Sequence, residues 1–321
     1  MPVKVSEDDF IACFKRLGSP AAVAKALEID VRGVYNRRNA IEARRGLRLE
    51  SLAEGFGGRP KVDVTKRGYR AIKENVSGTV IIGSDLHAWP GERSVAFGAF
   101  VHLIRELKPS MVILNGDAVD GARISRHPAM AWATLPTVAD ELDAVRERMS
   151  EIEAAAPDGC PLVWPQGNHD MRYSAKLAQN VPEFAGIHGM DLGDHFPAWN
   201  LCMSIWINDH TVVKHRHAGG IHGAYNNTLK GGKNIVTGHT HRLLATPFGD
   251  YNGLRWGVEC GTLADFGPET DRYLYAEDGP VNWSTGFAVL TFLDNGMMIE
   301  PECCRVLNNV AYFRGSAINH A

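Results

Sequence analysis

The stretch 79-TVIIGSDLH-87 decides the fold. Its first part predicts a short buried strand, and two polar side chains of metal-binding type, Asp85 and His87, follow directly. Val95 to Leu107 then shows helical spacing, and Met111 to Leu114 is a second apolar run. Strand, helix and strand in this order predict an α/β fold with a partly parallel sheet.

The pattern continues along the chain. A helical stretch, Ala139 to Ala155, leads to a third apolar run, 161-PLVW-164. The C-terminal third is richer in strand signals, with hairpins predicted at 203–214 around Asn208-Asp209 and at 287–299 around Asp294-Asn295-Gly296. We therefore expect residues 77–321 to form a layered α/β domain in which β-sheets are flanked by helices.

Each apolar run ends in side chains that can bind a metal ion. They are Asp85 and His87, Asp117, Asn168 with His169 and Asp170, His215, and finally His239 and His241. Because residues i and i+2 of an extended segment point the same way, each D-x-H or H-x-H pair can face one centre. Open α/β sheets place ligands at such strand ends. A mixed set of carboxylates and imidazoles suits Mn²⁺, Fe²⁺ or Zn²⁺ better than Ca²⁺.

The order of these blocks is specific. D-x-H at 85–87, G-D at 116–117, G-N-H-D at 167–170, a histidine and G-H-x-H at 238–241 resemble the calcineurin-like metallophosphoesterase superfamily, from about Gly78 to Asp265. The resemblance implies a phosphoesterase with two divalent cations, for which we expect Mn²⁺, with Fe²⁺, Zn²⁺ and Mg²⁺ as alternatives.

The resemblance also implies a role for each residue. One cation would be held by Asp85, His87 and His241, the other by Asn168, His215 and His239, with Asp117 bridging the two. His169 would contact the phosphoryl group and protonate the leaving oxygen, and Asp170 would hydrogen-bond its imidazole and orient it.

The fourth block departs from the family pattern, in which glycine usually follows the histidine. Here the sequence is 214-KHRH-217. We choose His215 because it follows the apolar run directly, and His217 and the more distant His222 are the alternatives.

Substrate contacts are predicted from the loop that follows Asp117. Its residues Asp120, Arg123, Arg126 and His127 could reach a phosphate or its leaving group, as could Arg242 after the last block. Ordinary solvated loop charges are the competing interpretation.

Residues 1–48 predict three helices that resemble a helix-turn-helix DNA-binding domain. The third helix is expected to run from about Val31 after a capping Asp30, and Glu28 and Gly33 depart from the helix-turn-helix pattern. A helical packing or oligomerisation unit with a solvated arginine face is the alternative, and homo-oligomerisation stays open. We predict DNA contacts from the arginines of the third helix, which are Arg32, Arg37, Arg38, Arg44, Arg45 and Arg48.

The charge distribution supports two functional parts joined by a linker at 49–76. Residues 1–75 hold 16 lysines and arginines against 10 acidic residues, whereas residues 76–321 hold 18 against 27. The 321-residue chain begins without a signal-peptide pattern, lacks an apolar run long enough to span a membrane, and has no C-x-x-C motif among its six cysteines. We therefore expect a cytoplasmic protein without a zinc ribbon and without a membrane partner.

The sequence thus predicts a phosphodiesterase or nuclease, such as a nicking enzyme, that the helical domain directs to DNA. A basic module on a compact phosphoesterase resembles bacteriophage or prophage proteins, which would place it in a bacterial host cell. Two alternatives stand beside this hypothesis. The first is a phosphomonoesterase or small-molecule phosphodiesterase whose helices serve assembly, and the second is a DNA-binding regulator with a vestigial metal centre.

Overall fold

The computed structural model describes residues 5–17, 20–47, 49, 71–126, 134–265 and 282–318. The chain divides near residue 64 into a helical unit and a larger unit, which we call the catalytic unit because the predicted catalytic residues belong to it.

The helical unit contains the three predicted helices. Ser6 caps the first through Asp9 N (3.1 Å), and Asp30 caps the third through Gly33 N (2.8 Å). The turn between the second and third helices passes through Glu28 in a left-handed conformation (φ 52°), the conformation for which glycine is usual. Phe10, Phe14, Val23, Val34 and Ile41 form its core. The helices are α1 Glu7–Leu17, α2 Pro20–Leu27 and α3 Val31–Arg45.

The first sheet of the catalytic unit contains the strands that lead to the predicted ligands. Its order is β14-β13-β12-β11-β2-β3-β4-β5, with β2, β3, β4 and β5 parallel to one another and β11 antiparallel to β2. Its strands are β2 Gly78–Gly83, β3 Met111–Leu114, β4 Leu162–Pro165, β5 Asn200–Cys202, β11 Gly286–Phe292, β12 Glu302–Leu307, β13 Val310–Phe313 and β14 Ser316–Ile318.

The second sheet has six strands in the order β1-β6-β7-β8-β10-β9. The parallel pair β7 and β8 supplies the remaining ligand loops. Its strands are β1 Ile72–Glu74, β6 Ile205–Ile207, β7 Thr211–Val213, β8 Asn234–Thr237, β9 Leu243–Asp250 and β10 Gly253–Cys260.

The two sheets pack face to face between helices. Along β2, Val80 and Ile82 contact the second sheet, whereas Ile81 faces α4 and α5, as the alternation of a strand requires. On the second sheet, Gly257 leaves room for the backbone of α7, since a Cβ there would lie 2.1 Å from Ala224 O. The layered α/β fold predicted from the sequence is confirmed. The helices of this unit are α4 Val95–Leu107, α5 Val138–Ala155, α6 Asp170–Asn180 and α7 Gly223–Gly231.

Three predictions are refined by the structure. The linker predicted at 49–76 is too long, because β1 at 72–74 pairs with β6 and Val76 is buried in the core of the catalytic unit. The hairpin at Asn208-Asp209 is confirmed, and both turn residues have positive φ. The segment Met297 to Ile299 forms only an isolated bridge, because β11 pairs with β2 and β12 instead.

Candidate metal centre

The side chains at the strand ends meet in three overlapping groups. Within each group the ligand atoms lie within 4.8 Å of one another. We call the eight residues Asp85, His87, Asp117, Asn168, His169, His215, His239 and His241 the strand-end centre. The groups are Asp85 with His87 and His241, His87 with Asp117 and His169, and Asp117 with His215 and His239.

The backbone of this centre is unusual. We expected the paired ligands to face one centre because alternate residues of a strand point the same way. That reason is wrong, because β2 ends at Gly83 and β8 at Thr237, before the ligands begin. The chain instead turns through left-handed conformations that cost on the order of 1–3 kcal/mol each for residues other than glycine. These residues are Asp85 (φ 53°), His87 (φ 41°), Asp117 (φ 52°), His239 (φ 68°) and His241 (φ 55°).

Glycines beside the ligands allow the loops to approach closely. A Cβ on Gly167 would lie 2.1 Å from Asp117 Oδ1, and one on Gly116 would lie 2.4 Å from His215 Nδ1. The glycines of the G-D and G-N-H-D blocks are therefore steric requirements of the centre.

Asp85 is surrounded by histidines. Its Oδ1 lies 3.0 Å from His241 Nε2 and 3.9 Å from His87 Nε2, and its Oδ2 accepts a hydrogen bond from His239 N at 2.9 Å. Burial alone would raise the pKa of this fully buried carboxyl, but the histidines, His241 first, lower it below its usual value. Asp85 is therefore an anion at neutral pH.

Asp117 occupies the middle of the centre. It belongs to two of the three groups, its Oδ2 lies 3.0 Å from His215 Nε2, and its Oδ1 accepts from His169 N at 2.8 Å. The Nδ1 of His215 contacts Asn115 O at 2.8 Å, which directs Nε2 toward Asp117. His215 lies in the centre, whereas His217 is exposed and belongs to no metal-type group of the described residues.

The residues of the centre fit divalent cations. Asn168 Oδ1 is buried and makes no hydrogen bond with the part of the protein that the structure describes, whereas Asp85 Oδ1 and His215 Nε2 each lie 3.0 Å from another metal-type ligand atom, on His241 and Asp117. Burial alone would lower the pKa of His215, but Asp85 and Asp117 raise it to about 10, so the carboxylates attract positive charge. Buried polar atoms that lack protein partners call for another ligand, and nitrogen and oxygen donors suit Mn²⁺, Fe²⁺, Zn²⁺ and Mg²⁺.

The prediction that Asp170 orients the His169 imidazole is wrong. His169 Nδ1 instead contacts the residue-120 carbonyl at 2.7 Å, with Asp120 Oδ1 at 3.3 Å. Asp120 Oδ1 also lies 3.0 Å from His87 Nδ1. Asp120, which we expected to contact substrate, therefore positions two histidines of the centre.

Asp170 organises the backbone beneath the centre. This fully buried carboxylate accepts hydrogen bonds from the backbone N–H of Asp117 (2.8 Å) and Gly167 (2.7 Å) and from Trp164 Nε1 (3.0 Å). It also accepts from the N–H groups of residues 118 and 119. It thus joins the loop after β3 to the loop after β4 and fixes the position of Asp117.

The predicted substrate residues differ in their surroundings. Arg123 does not point at the centre, because its guanidinium bonds to the carbonyls of Pro136 (2.9 Å) and Leu135. Arg126 is exposed, and His127 lies outside the described residues. Arg242 is buried in an ion pair with Glu259 at 2.8 Å, which supports the loop of His239 and His241.

The sequence analysis missed Arg172. Its Nη2 lies 3.2 Å from His169 Nε2, and its Nη1 donates to Asp120 O at 2.9 Å. Helical spacing could have indicated this residue. Arg172 stands three residues after His169 at the start of α6, and side chains three residues apart lie on the same side of a helix.

Most of the predicted DNA-contacting arginines pair within the helical unit. Arg32 is exposed, and Arg48 lies outside the described residues. Arg37 bonds to Val5 O and lies over the ring of Phe10. Arg38 pairs with Glu42, one turn away on the same helix, at 3.0 Å. Arg44 pairs with Glu7 at 2.5 Å, and Arg45 pairs with Glu7 at 3.2 Å and with Asp8 at 2.6 Å, so both contact α1.

Two cation sites that share one aspartate are an arrangement used by hydrolases of phosphate esters. The fold and the strand-end centre thus define a metallophosphoesterase. The family model for calcineurin-like phosphoesterases matches residues 78–257, and the chain belongs to this family. Its members bind two divalent metal ions.

Two bacteriophage proteins are similar to this chain. The Gene 54 proteins of Mycobacterium phages L5 and D29 are each 26% identical, over 227 and 222 residues, which cover 64% of this chain and 84% of each relative. Among solved structures, zinc-bound Vps29 from Entamoeba histolytica is 13% identical and covers 75% of this chain and 99% of its own, with a TM-score of 0.40. YfcE, a phosphoesterase from E. coli, is 15% identical and covers 70% and 97%, with a TM-score of 0.33.

Among the residues that the structure describes, no helix is both long and apolar enough to cross a lipid bilayer.

Proposed function

We propose that this chain is a two-metal phosphodiesterase that cleaves DNA and that its helical unit positions the catalytic unit on the substrate. The position of Asp117 is the observation that best supports hydrolysis. Asp117 belongs to two metal-type groups, and its side chain accepts a hydrogen bond from the backbone N–H of His169. In this proposal one cation is held by Asp85, His87 and His241, and the other by Asn168, His215 and His239. When bound, two divalent cations neutralise phosphoryl oxygens and supply a nucleophilic hydroxide at neutral pH.

His169 is the proton donor of the proposed reaction. Its Nδ1 is held at Asp120 O, so Nε2, which lies 3.2 Å from Arg172 Nη2, is the nitrogen that would protonate the leaving oxygen. Burial alone would lower the pKa of His169, but Asp120 and Asp117 raise it above its ordinary value, which favours the protonated imidazole needed for this step. Asp120 is a positioning residue in this scheme.

The DNA part rests on the helical unit. With most arginines of α3 paired, the exposed side chains at i, i+4 and i+7 are Arg32, Asn36 and Asn39. Arginine and asparagine are side chains that read guanine and adenine edges in the major groove. The acidic balance of residues 76–321 would repel DNA, so a separate binding surface is needed. The phage relatives support a place of action inside a bacterial host cell.

Mn²⁺-dependent hydrolysis tests this function. We expect the full chain with Mn²⁺ to nick supercoiled plasmid and to hydrolyse bis-p-nitrophenyl phosphate faster than p-nitrophenyl phosphate, and a chelator should stop both reactions. Chelator-resistant turnover by fully demetallated protein would refute the two-metal proposal. DNA binding without hydrolysis of any substrate would favour the regulator with a vestigial centre.

The DNA role has its own test. The logarithm of DNA affinity falls with the logarithm of the salt concentration, with a slope of about −0.9 for each phosphate that the protein neutralises. Removing residues 1–48 should therefore weaken plasmid binding and make this slope less steep. Hydrolysis of bis-p-nitrophenyl phosphate should persist, because the catalytic unit has its own cores. A full-length Asn36→Ala/Asn39→Ala variant should lose sequence preference while keeping the slope.

One observation favours a second function. Arg44 and Arg45 are paired with acidic side chains of α1, so they are less available to phosphates and fit a helical unit used for assembly. In that case the chain would be a phosphomonoesterase or small-molecule phosphodiesterase. Unchanged plasmid cleavage and salt slope after the deletion, with a change of oligomeric state, would support it.

A further inference from the structure

Arg172 lies beside the catalytic atom of His169. Its Nη2 is 3.2 Å from His169 Nε2, the nitrogen that faces away from the Asp120 carbonyl. Its Nη1 donates to the carbonyl of Asp120 at 2.9 Å and, at 3.4 Å, to that of Gly121. The guanidinium is therefore fixed at the edge of the strand-end centre on the side of the proposed proton donor.

The neighbouring loop leaves space for this side chain. A Cβ on Gly121 would lie 3.0 Å from Arg172 Cδ, so a larger residue at position 121 would crowd the arginine stem. Gly121 also has a positive φ of 64°, and its N–H donates to the buried carboxylate of Glu141 at 2.5 Å. The arginine therefore sits against a backbone that is itself held in place.

Among the residues that the structure describes, Arg172 forms no ion pair. Its two donated hydrogen bonds go to the neutral carbonyls of residues 120 and 121, and its Nη2 lies beside His169 Nε2. By contrast, Arg148 pairs with Glu147 and Glu151, and Arg255 pairs with Asp250, whereas the half-buried Arg305, like Arg172, bonds to a backbone carbonyl, Leu243 O. A guanidinium has five N–H donors, so it can hold these contacts and still bind an anion.

We propose that Arg172 binds a non-bridging oxygen of the substrate's phosphate ester, beside its Nη2 and His169 Nε2. The proposal rests on the proposed phosphoesterase function and adds a substrate-binding residue that holds no metal. Guanidinium groups bind phosphate with directed, charge-assisted hydrogen bonds, whereas an ammonium acts as a point charge. Arg172 would therefore contribute to the affinity for the phosphoryl group more than to metal binding.

Inorganic phosphate is the probe, because it reports on the site without turnover. Full-length protein loaded with Mn²⁺ is titrated with phosphate by calorimetry, and phosphate inhibition of bis-p-nitrophenyl phosphate hydrolysis is measured in parallel. We expect Arg172→Gln to keep two metals per chain and to weaken phosphate binding by about 10- to 100-fold, the range for a hydrogen bond to a charged group. Arg172→Lys should restore only part of the affinity.

Lys176→Gln is the matched control. Lys176 stands one turn further along α6 and is exposed, so its loss removes the same charge from the same helix without a contact to the centre. Phosphate affinity in Lys176→Gln should equal that of the unaltered protein. A similar loss in both variants would mean general electrostatics and overturn the proposal.

A purely structural role for Arg172 predicts different results. It would lower metal content or thermal stability in Arg172→Gln while leaving the phosphate affinity of the fully loaded protein unchanged, and that outcome overturns the proposal. Phosphate binding that depends on Arg172 in a protein without Mn²⁺-dependent hydrolysis would retain the anion site and reject the proposed enzymatic function. Absence of phosphate binding in the unaltered protein would reject the anion site itself.

Discussion

Charged side chains are arranged in opposite ways in the helical unit and in the strand-end centre. On the helical unit, Arg44 and Arg45 meet Glu7 in partly exposed ion pairs. In the strand-end centre, Asp85 and His215 are buried, and their Oδ1 and Nε2 atoms lie 3.0 Å from other metal-type ligand atoms, those of His241 and Asp117. Exposed pairs contribute little free energy, whereas taking charged groups out of water is costly even when they are paired. The difference teaches that the burial of clustered ligand atoms, more than charge density, marks a site for an external ligand.

The strongest test of this comparison is Asp117→Asn. A neutral amide cannot bridge two cations as a carboxylate does, so we expect Mn²⁺-dependent hydrolysis of bis-p-nitrophenyl phosphate to fall by about 10³-fold or more. Steady-state rates and metal analysis at saturating Mn²⁺ measure the effect. Near-normal activity of this variant would show that Asp117 does not join the two sites.

His169→Ala should separate chemistry from metal binding. The backbone N–H of residue 169, which donates to Asp117 Oδ1 at 2.8 Å, is kept in the variant. We therefore expect both metals to stay bound while turnover falls by about 10²- to 10⁴-fold, the usual contribution of general acid catalysis. A missing metal ion in this variant would make His169 a ligand instead.

His215→Ala and His217→Ala form a matched pair that tests the fourth block. His215 is buried beside Asp117, and His217 is exposed two residues away. We expect His215→Ala to bind one metal ion in place of two and His217→Ala to bind both, as measured by elemental analysis after dialysis. The reverse pattern would contradict the choice of His215.

Glu141 offers a buried carboxyl group outside the strand-end centre. It accepts from Gly121 N (2.5 Å) and Ala122 N (3.0 Å), but burial raises its pKa from 4.5 to about 7. The folded state then keeps a proton that the unfolded state releases, so the free energy of unfolding falls as pH rises from 4.5 to 7, by on the order of 3 kcal/mol from this group. Denaturant unfolding of Glu141→Gln across this range should show a smaller decline, and an identical pH profile would contradict the assignment.

Glu7→Gln should give the smallest effect. The change removes the carboxylate that joins α1 to Arg44 and Arg45, but all three side chains are partly exposed. We expect a shift of at most about 2–4 °C in thermal unfolding, together with stronger plasmid binding by the released arginines if the helical unit contacts DNA. A large loss of stability would place these pairs in a structural role beyond that of ordinary surface charges.

Local signals predicted much of the fold. Helix α3 begins after the capping Asp30 and ends at Arg45, as expected from the sequence, and α4 has the expected bounds. The strand β1 was missed because three residues carry almost no periodicity, and its partner β6 lies some 130 residues away in sequence. Pairing over such a distance depends on tertiary contacts and not on local preference.

The site was predictable as a set of residues but not as a geometry. Motif order indicated which side chains would meet, whereas the left-handed turns after the strands decide where each one points. For that reason Asp170, which is adjacent in sequence to His169, accepts hydrogen bonds from backbone N–H groups. Asp120, which is distant in sequence, contacts the imidazole of His169. Arg123 and Arg172 show the same difference. Arg123 follows Asp117 in sequence but bonds to the carbonyl of Pro136, away from the centre, whereas helical spacing brings Arg172 beside His169.

The left-handed residues of the centre have a consequence for folding equilibria. Five side-chain-bearing residues hold a conformation that an isolated chain avoids, so the loops around Asp85, Asp117 and His239 store free energy in the absence of a ligand. A cation that binds only the folded loops offsets this free energy. It stabilises the protein by RT ln(1 + [L]/Kd), where [L] is the free cation concentration and Kd its dissociation constant. The resistance of the catalytic unit to heat and proteolysis is therefore linked to the free concentration of divalent metal in its surroundings.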